Sequence, residues 1–177
     1  MSPFTFPLSE FYSRASLPLP RIEVISGDAI PAPYRALLDH HNDMTPTLER
    51  FHDCEIWIHA LGRERREDSY SREVVLCRAD NDAPVEFGAI RIELNLFPAA
   101  ARTQILEEHM PLGRILRDHG IAHSTRALHF LRIEPDELIC RSLRLAAPVT
   151  LYGRQAVICN SEKQPLSRVV EILPPAP

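Results

Sequence analysis

An arginine lies on the apolar face of a strand-like segment. Residues 71–77 read S-R-E-V-V-L-C, and a strand alternation puts Arg72, Val74 and Leu76 on one face. A guanidinium among aliphatic side chains is costly to desolvate unless an anion meets it. Its rigid fork suits a carboxylate. The sequence therefore predicts an anion beside Arg72, supplied either by the protein or by a ligand.

Glu171 is the second ionisable residue in an apolar strand pattern. In the segment 165–173 it shares a face with Val169 and Leu173, although the opposite face is apolar too. If Glu171 points inward, desolvation should raise the pKa of its carboxyl, which suits general acid–base chemistry. The alternatives are an ion pair with Arg72 or an exposed position at the sheet edge.

Other common catalytic and metal-binding patterns are missing from the sequence. The closest histidine groupings are His40 and His41 with Asp43, and His119 with His123, and neither has the spacing of a known metal motif. The chain also has no phosphate-binding glycine loop and no G-x-S-x-G elbow. We therefore expect no metal and no cofactor.

Composition narrows the classes of partner and compartment. The chain has 177 residues, 45% of them hydrophobic, and a formal net charge of −4, which is typical of one globular domain. This charge argues against nucleic acid or an anionic membrane as a main partner. Four cysteines without a C-x-x-C pair indicate thiols in a reducing cytoplasm, and no secretory signal is visible.

The pattern of elements predicts an α+β fold. Residues 1–30 are rich in proline and are interpreted as an extended or poorly ordered N-terminal arm, and residues 31–177 as the domain. Successive hairpins favour an antiparallel sheet of about six strands with short helices on one side. The predicted strands are 54–61, 72–78, 85–94, 124–133, 149–159 and 165–173, and the predicted helices are 33–41, 45–51, 98–109 and one from 111 that ends at Gly120.

Two helix starts carry further signals. Thr45 is a plausible N-cap, with Pro46 at the first helical position. In the run Pro111-Leu112-Gly113, the proline begins a helix and the glycine permits close approach of a backbone. The N–H groups at this second start could hold a carboxylate.

Four segments in order carry a resemblance to a known family. They are 43–45 (D-M-T), 71–77, 110–116 (M-P-L-G-R-I-L) and 151–154 (L-Y-G-R), the last leading to Glu171. From about Ala36 to Pro175 the chain resembles the chorismate pyruvate-lyase family, which converts chorismate to 4-hydroxybenzoate and pyruvate. The resemblance implies a six-stranded antiparallel sheet whose helices cover a buried ligand pocket, and a reaction that needs no cofactor.

The resemblance also implies roles for particular residues. Arg72 would anchor the ring carboxylate, and Glu171 would act as acid or base at the other end of the substrate. Met44, Leu112 and Gly113 would line the substrate-binding pocket. The implied protein is a cytoplasmic lyase whose partner is chorismate or a related aromatic acid, with neither nucleic acid nor membrane as a partner.

A second function stays open on the same fold. The chain could be a non-catalytic or divergent binder of small aromatic acids, because this fold also serves as the effector-binding half of certain transcription regulators. A regulator itself is disfavoured, since no DNA-binding helix pair precedes Ala36 and the net charge is negative. Tight binding of 4-hydroxybenzoate without turnover of chorismate would select the binder.

Overall fold

The fold is α+β, with a single antiparallel sheet and helices on both of its faces. The computed structural model describes residues 3–175, so residues 1–2 of the predicted arm and 176–177 of the predicted domain lie outside it. The strands are β1 Arg21–Ile25, β2 Ile56–Arg65, β3 Ser69–Arg78, β4 Pro84–Glu93, β5 His123–Glu134, β6 Leu151–Asn160 and β7 Pro165–Leu173. The helices are α1 Leu8–Arg14, α2 Tyr34–Leu38, α3 Met44–His52, α4 Ala99–Glu107, α5 Leu112–Asp118 and α6 Glu137–Ser142.

The sheet has seven strands, so the prediction of about six is corrected. Its order is β1-β5-β6-β7-β4-β3-β2, and every neighbouring pair is antiparallel. The extra strand is β1, which pairs with β5 at one edge. The prolines just before it, Pro18 and Pro20, disguised a short alternating strand as part of an extended arm. An edge position tolerates such neighbours because half of its backbone groups need no partner in the sheet.

The described part of the proline-rich segment is packed helix and strand rather than a poorly ordered arm. Leu8, Phe11 and Tyr12 of α1 are buried in the core. The buried side chain of Gln155 donates hydrogen bonds of 2.8 Å to the carbonyls of Pro3 and Phe6. These contacts anchor the segment to the sheet. The division of the chain at residue 30 stays a prediction.

The sheet is buried on both faces, which corrects the expectation of helices on one side only. Helices α1 and α6 pack on the face that carries Val75 and Cys77. Helices α2 to α5 cover the opposite face, which carries Val74, Leu76 and Ile90. The predicted alternation in β3 is therefore confirmed, and Arg72 lies on the face beneath α3 and α5. None of the helices within residues 3–175 has the length and apolar character needed to cross a bilayer.

Candidate functional site

A cavity lies between the middle of the sheet and the starts of helices α3 and α5. The centre of a water-sized sphere can occupy about 60 Å³ of it. The void itself extends one sphere radius further on every side. A single water needs about 10–15 Å³ on this measure, so the space suits a small organic molecule. Most of the lining is aliphatic, and much of it comes from five strands of the sheet: Ile58, Val74, Leu76, Ile90, Ile158 and Val169.

The structure brings all five of the predicted site residues to this cavity. Arg72 and Glu171 come from β3 and β7, and Met44, Leu112 and Gly113 come from the first residues of α3 and α5. They are spread over most of the sequence. The sequence motifs therefore mark one place in the fold, although this placement alone assigns no role to any of them.

Arg72 is a buried cation with unused hydrogen-bond donors. The residue is 1% exposed, and its Nη2 donates to the carbonyl of Met110 at 3.2 Å. Within residues 3–175, its Nε and Nη1 have no hydrogen-bond partner. Burial lowers the pKa of Arg72 to about 10, so the guanidinium still carries its charge at neutral pH. The sequence allowed the anion beside Arg72 to come from the protein or from a ligand. No described residue of the protein supplies it.

Glu171 points inward but does not pair with Arg72, so that predicted alternative is wrong. Its carboxylate accepts a hydrogen bond of 2.5 Å from Nε of Arg154, and both side chains are buried. Strand β6 neighbours β7 and places these two residues directly opposite each other. Arg72 lies on β3, which β4 separates from β7. The register of the sheet therefore makes Arg154, rather than Arg72, the partner of Glu171.

Arg154 also ties down the loop that leads into α3. Its guanidinium donates to the carbonyls of Leu38, His40 and Asn42 at 3.2–3.3 Å. The guanidinium of Arg154 thus pairs with one carboxylate and donates to several carbonyl groups, all of them inside the protein. Arg154 is a structural arginine, in contrast to Arg72.

Glu86 is a cavity residue that the sequence interpretation missed. It lies on β4 and is 4% exposed, and its Oε2 has no partner among the described residues. Burial and the nearby charge of Glu171 raise the pKa of Glu86 well above its ordinary value. Burial therefore favours the neutral form of this carboxyl, which carries an O–H donor.

The position of Glu86 follows from a pattern that was already visible. Ile90 and Ile92 were expected to face inward, and the same alternation extends back to Gly88 and Glu86. Gly88 is required by the sheet itself, because a Cβ there would lie 2.4 Å from the carbonyl oxygen of Val170 on β7. A glycine and a buried glutamate on one apolar strand face are a signal that sequence reasoning could have used.

The start of α3 differs from the prediction. Asp43, not Thr45, precedes the first helical residue, which is Met44. The carboxylate of Asp43 does not cap the helix but accepts hydrogen bonds from His123, at 2.7 Å, and from the hydroxyl of Thr125. Burial alone would lower the pKa of His123, but its bonds to a backbone carbonyl and to Asp43 raise that pKa above its ordinary value.

We expect Glu86→Gln to stabilise the protein, increasingly so as the pH rises. Because the folded state holds the proton of Glu86 more tightly than the unfolded chain does, the wild type loses stability as pH rises above about 4.5 toward the raised folded pKa. An amide keeps the shape without the charge and avoids this loss. The gain should be small at pH 4.5 and reach about 1–3 kcal/mol at pH 7, measured by urea unfolding.

The control for this experiment is Glu67→Gln in the exposed segment between β2 and β3. It should leave the free energy of unfolding within about 0.5 kcal/mol of the wild type at every pH. If the two variants show the same pH dependence, Glu86 is not a neutral carboxyl in the folded state.

Comparisons with known proteins show similarity at the level of fold. No family model matches the chain, and no curated protein matches it. The effector domain of PhnF from Mycobacterium smegmatis is similar over 75% of this chain and 88% of that one, with a TM-score of 0.56 and 11% identity. The possible transcriptional regulator YydK from Bacillus subtilis subsp. subtilis str. 168 is similar over 70% of this chain, with a TM-score of 0.52 and 9% identity.

The chain is shorter than the whole regulators that it resembles. It spans 59% of the YydK chain and 63% of a longer PhnF chain, the latter with a TM-score of 0.55 and 11% identity. At these identities the comparison establishes a shared fold. The class that the structure defines is thus an α+β fold with one antiparallel sheet, and a cavity lies between this sheet and its helices.

The identification as a chorismate pyruvate-lyase is wrong. Solved structures that share this fold are a possible transcriptional regulator and the effector domain of PhnF, and neither is named as a lyase. The predicted removal of pyruvate from chorismate is therefore wrong as well, whereas the roles of Arg72 and Glu171 at the cavity stay predictions. The motifs marked residues that line one cavity of this chain, and lining a cavity does not by itself imply a reaction.

Proposed function

We propose that this domain binds a small aromatic acid in the cavity, with the carboxylate of the ligand on Arg72. One observation carries the proposal. Arg72 is charged, 1% exposed and at the cavity wall, and its Nε and Nη1 have no partner among residues 3–175. A buried unpaired charge costs several kcal/mol, on the order of 3–5. A bidentate carboxylate offsets that cost and uses the free donors.

The rest of the lining supports an aromatic body for the ligand. Aliphatic side chains form the walls, and they favour a flat apolar ring over a polar chain. The carboxyl of Glu86, whose neutral form burial favours, supplies a polar group that can donate to, or accept from, a substituent on the ring. The short helices α3 and α5 lie over this space, which supports its use as a ligand pocket.

In this proposal the site binds its ligand without converting it to a product. The fold is shared with the effector domain of PhnF. The ion pair of Glu171 with Arg154 further supports binding, because it engages this carboxylate in a contact inside the protein. The ligand then acts as a signal rather than as a substrate. The cytoplasm stays the predicted compartment.

The proposal is tested by calorimetric titration with benzoate, 4-hydroxybenzoate and benzamide. Benzamide has the same ring and nearly the same shape as benzoate but no charge. The charge-assisted bonds to Arg72 should favour the acids by about 1.5–3 kcal/mol, which is about 10- to 150-fold in Kd. Equal affinity for benzamide and benzoate, or no saturation by either acid at millimolar concentration, would overturn the proposal.

A further inference from the structure

A second cluster of reactive side chains lies on the other face of β3, away from the cavity. His59 lies on β2, Cys77 on β3, and Asp82 in the turn between β3 and β4. One ligand atom of each residue, an imidazole nitrogen, a sulfur and a carboxylate oxygen, lies within 4.8 Å of the other two. In the part of the chain that the structure describes, no other group of three such residues meets this geometry.

We propose that His59, Cys77 and Asp82 form a binding site for a divalent transition-metal ion, of which Zn²⁺ is the best match. The donor set has one nitrogen, one sulfur and one oxygen, all of them types that zinc accepts. Three protein ligands leave the fourth tetrahedral position to water. The thiolate discriminates against Mg²⁺ and Ca²⁺, which prefer oxygen ligands.

The distances leave little rearrangement to be done. Nε2 of His59 and Oδ1 of Asp82 are 3.0 Å apart, a hydrogen bond without the ion. Two ligands at about 2.0–2.1 Å from a tetrahedral zinc are about 3.3 Å apart. An ion can therefore replace the proton between these atoms with a shift of a few tenths of an ångström. The exposed turn that holds Asp82 can provide that shift.

Arg144 orients the carboxylate without blocking it. Its Nη2 donates to Oδ2 of Asp82 at 2.6 Å, and its Nη1 donates to the backbone carbonyl of the same residue at 2.7 Å. The other oxygen, Oδ1, is thus left facing His59. Partners of this kind in the outer shell fix the direction of a metal ligand and strengthen the site.

The burial of the three ligands sets the direction of entry and the proton balance. Cys77 is 2% exposed, whereas His59 and Asp82 reach solvent, so the ion enters from the surface with the sulfur beneath it. A metal ion binds the thiolate form of cysteine, so the metal–sulfur bond forms as the thiol proton leaves for solvent. Calorimetry in buffers of different ionisation enthalpy should show release of about one proton per ion at pH 7.5.

The test uses Co²⁺ as a spectroscopic substitute for Zn²⁺ on the full chain under reducing conditions. We expect a thiolate-to-cobalt charge-transfer band that saturates at one ion per chain and is removed by Zn²⁺. Trp57, the single tryptophan of the chain, pairs with Cys77 across the strands and lies on the same face of β2 as His59. Its fluorescence should be quenched by Co²⁺ along the same titration curve.

Three variants decide the assignment. Cys77→Ser should remove the band, and His59→Ala, an exposed change that leaves the core intact, should weaken Co²⁺ binding at least about tenfold. Cys159→Ser, on β6, should leave both unchanged. The proposal is overturned if no band forms, if the band survives Cys77→Ser, or if His59→Ala binds Co²⁺ as the wild type does. Benzoate binding should not change with the metal, because the cavity is on the opposite face of β3.

Discussion

Arg72→Met is expected to abolish binding of benzoate while leaving the ligand-free protein equally stable or more stable. The guanidinium is buried and has no carboxylate partner among the described residues, so its desolvation is not offset within the protein. Replacement of a buried charge by an apolar side chain of similar volume is often neutral, or stabilising by about 1–4 kcal/mol. The ligand loses its counter-charge, which should weaken benzoate binding by about 2–5 kcal/mol, or about 30-fold and more.

Two measurements on the same variant separate binding from folding. Calorimetry should show that benzoate affinity falls while benzamide affinity stays within about threefold of the wild type, since the amide gains little from the charge. Urea unfolding should show no loss of stability. Arg126→Met, on the exposed side of β5, is the matched control and should change neither quantity. A destabilised variant that still binds benzoate would make Arg72 a structural residue.

Arg154→Met should have the opposite effect and destabilise the protein by about 3–5 kcal/mol. The change leaves the carboxylate of Glu171 buried and unpaired close to Glu86, and it frees the loop carbonyls that Arg154 holds before α3. A loss of this size is a large part of the total stability of a domain, which is about 5–15 kcal/mol. Urea unfolding at pH 7 measures it directly.

A double variant tests the physical reason for this loss. Arg154→Met combined with Glu171→Leu removes both charges, so it should recover much of the stability that Arg154→Met alone loses. The coupling free energy between the two positions should be about 1–3 kcal/mol. If the two single changes simply add, the ion pair is not what stabilises this part of the sheet, and the carbonyl contacts of Arg154 would account for the loss.

The two arginines show how much of the site could be predicted from sequence. Arg72 was recognisable because alternation along β3 assigns it to the face of Val74 and Leu76, and burial needs no knowledge of distant residues. Arg154 has the same chemistry, and it was noticed only as part of a motif. Its role depends on β6 lying beside β7, which no local pattern encodes. The same strand order separates Glu171 from Arg72, because β4 lies between β7 and β3.

The lyase prediction failed for a related reason. Ordered motifs identify positions on a fold, and the fold of this chain is shared with effector domains that its sequence matches at only about a tenth of positions. In this chain the motif residues line a cavity beside two helix starts. The protonation of Glu86 and the partner of Glu171 decide what the cavity can do, and both depend on side chains from neighbouring strands.

The sequence by itself determined the α+β class, the antiparallel hairpins and the inward face of β3. These properties depend on residues a few positions apart, and the periods of strands and helices report them directly. Only the tertiary structure decided that β1 completes the sheet, that Arg154 rather than Arg72 meets Glu171, and that Glu86 lines the cavity with a raised pKa. Each of these outcomes depends on the pairing of segments far apart in the chain, where burial and nearby charge set the state of a group that its own neighbours in sequence do not reveal.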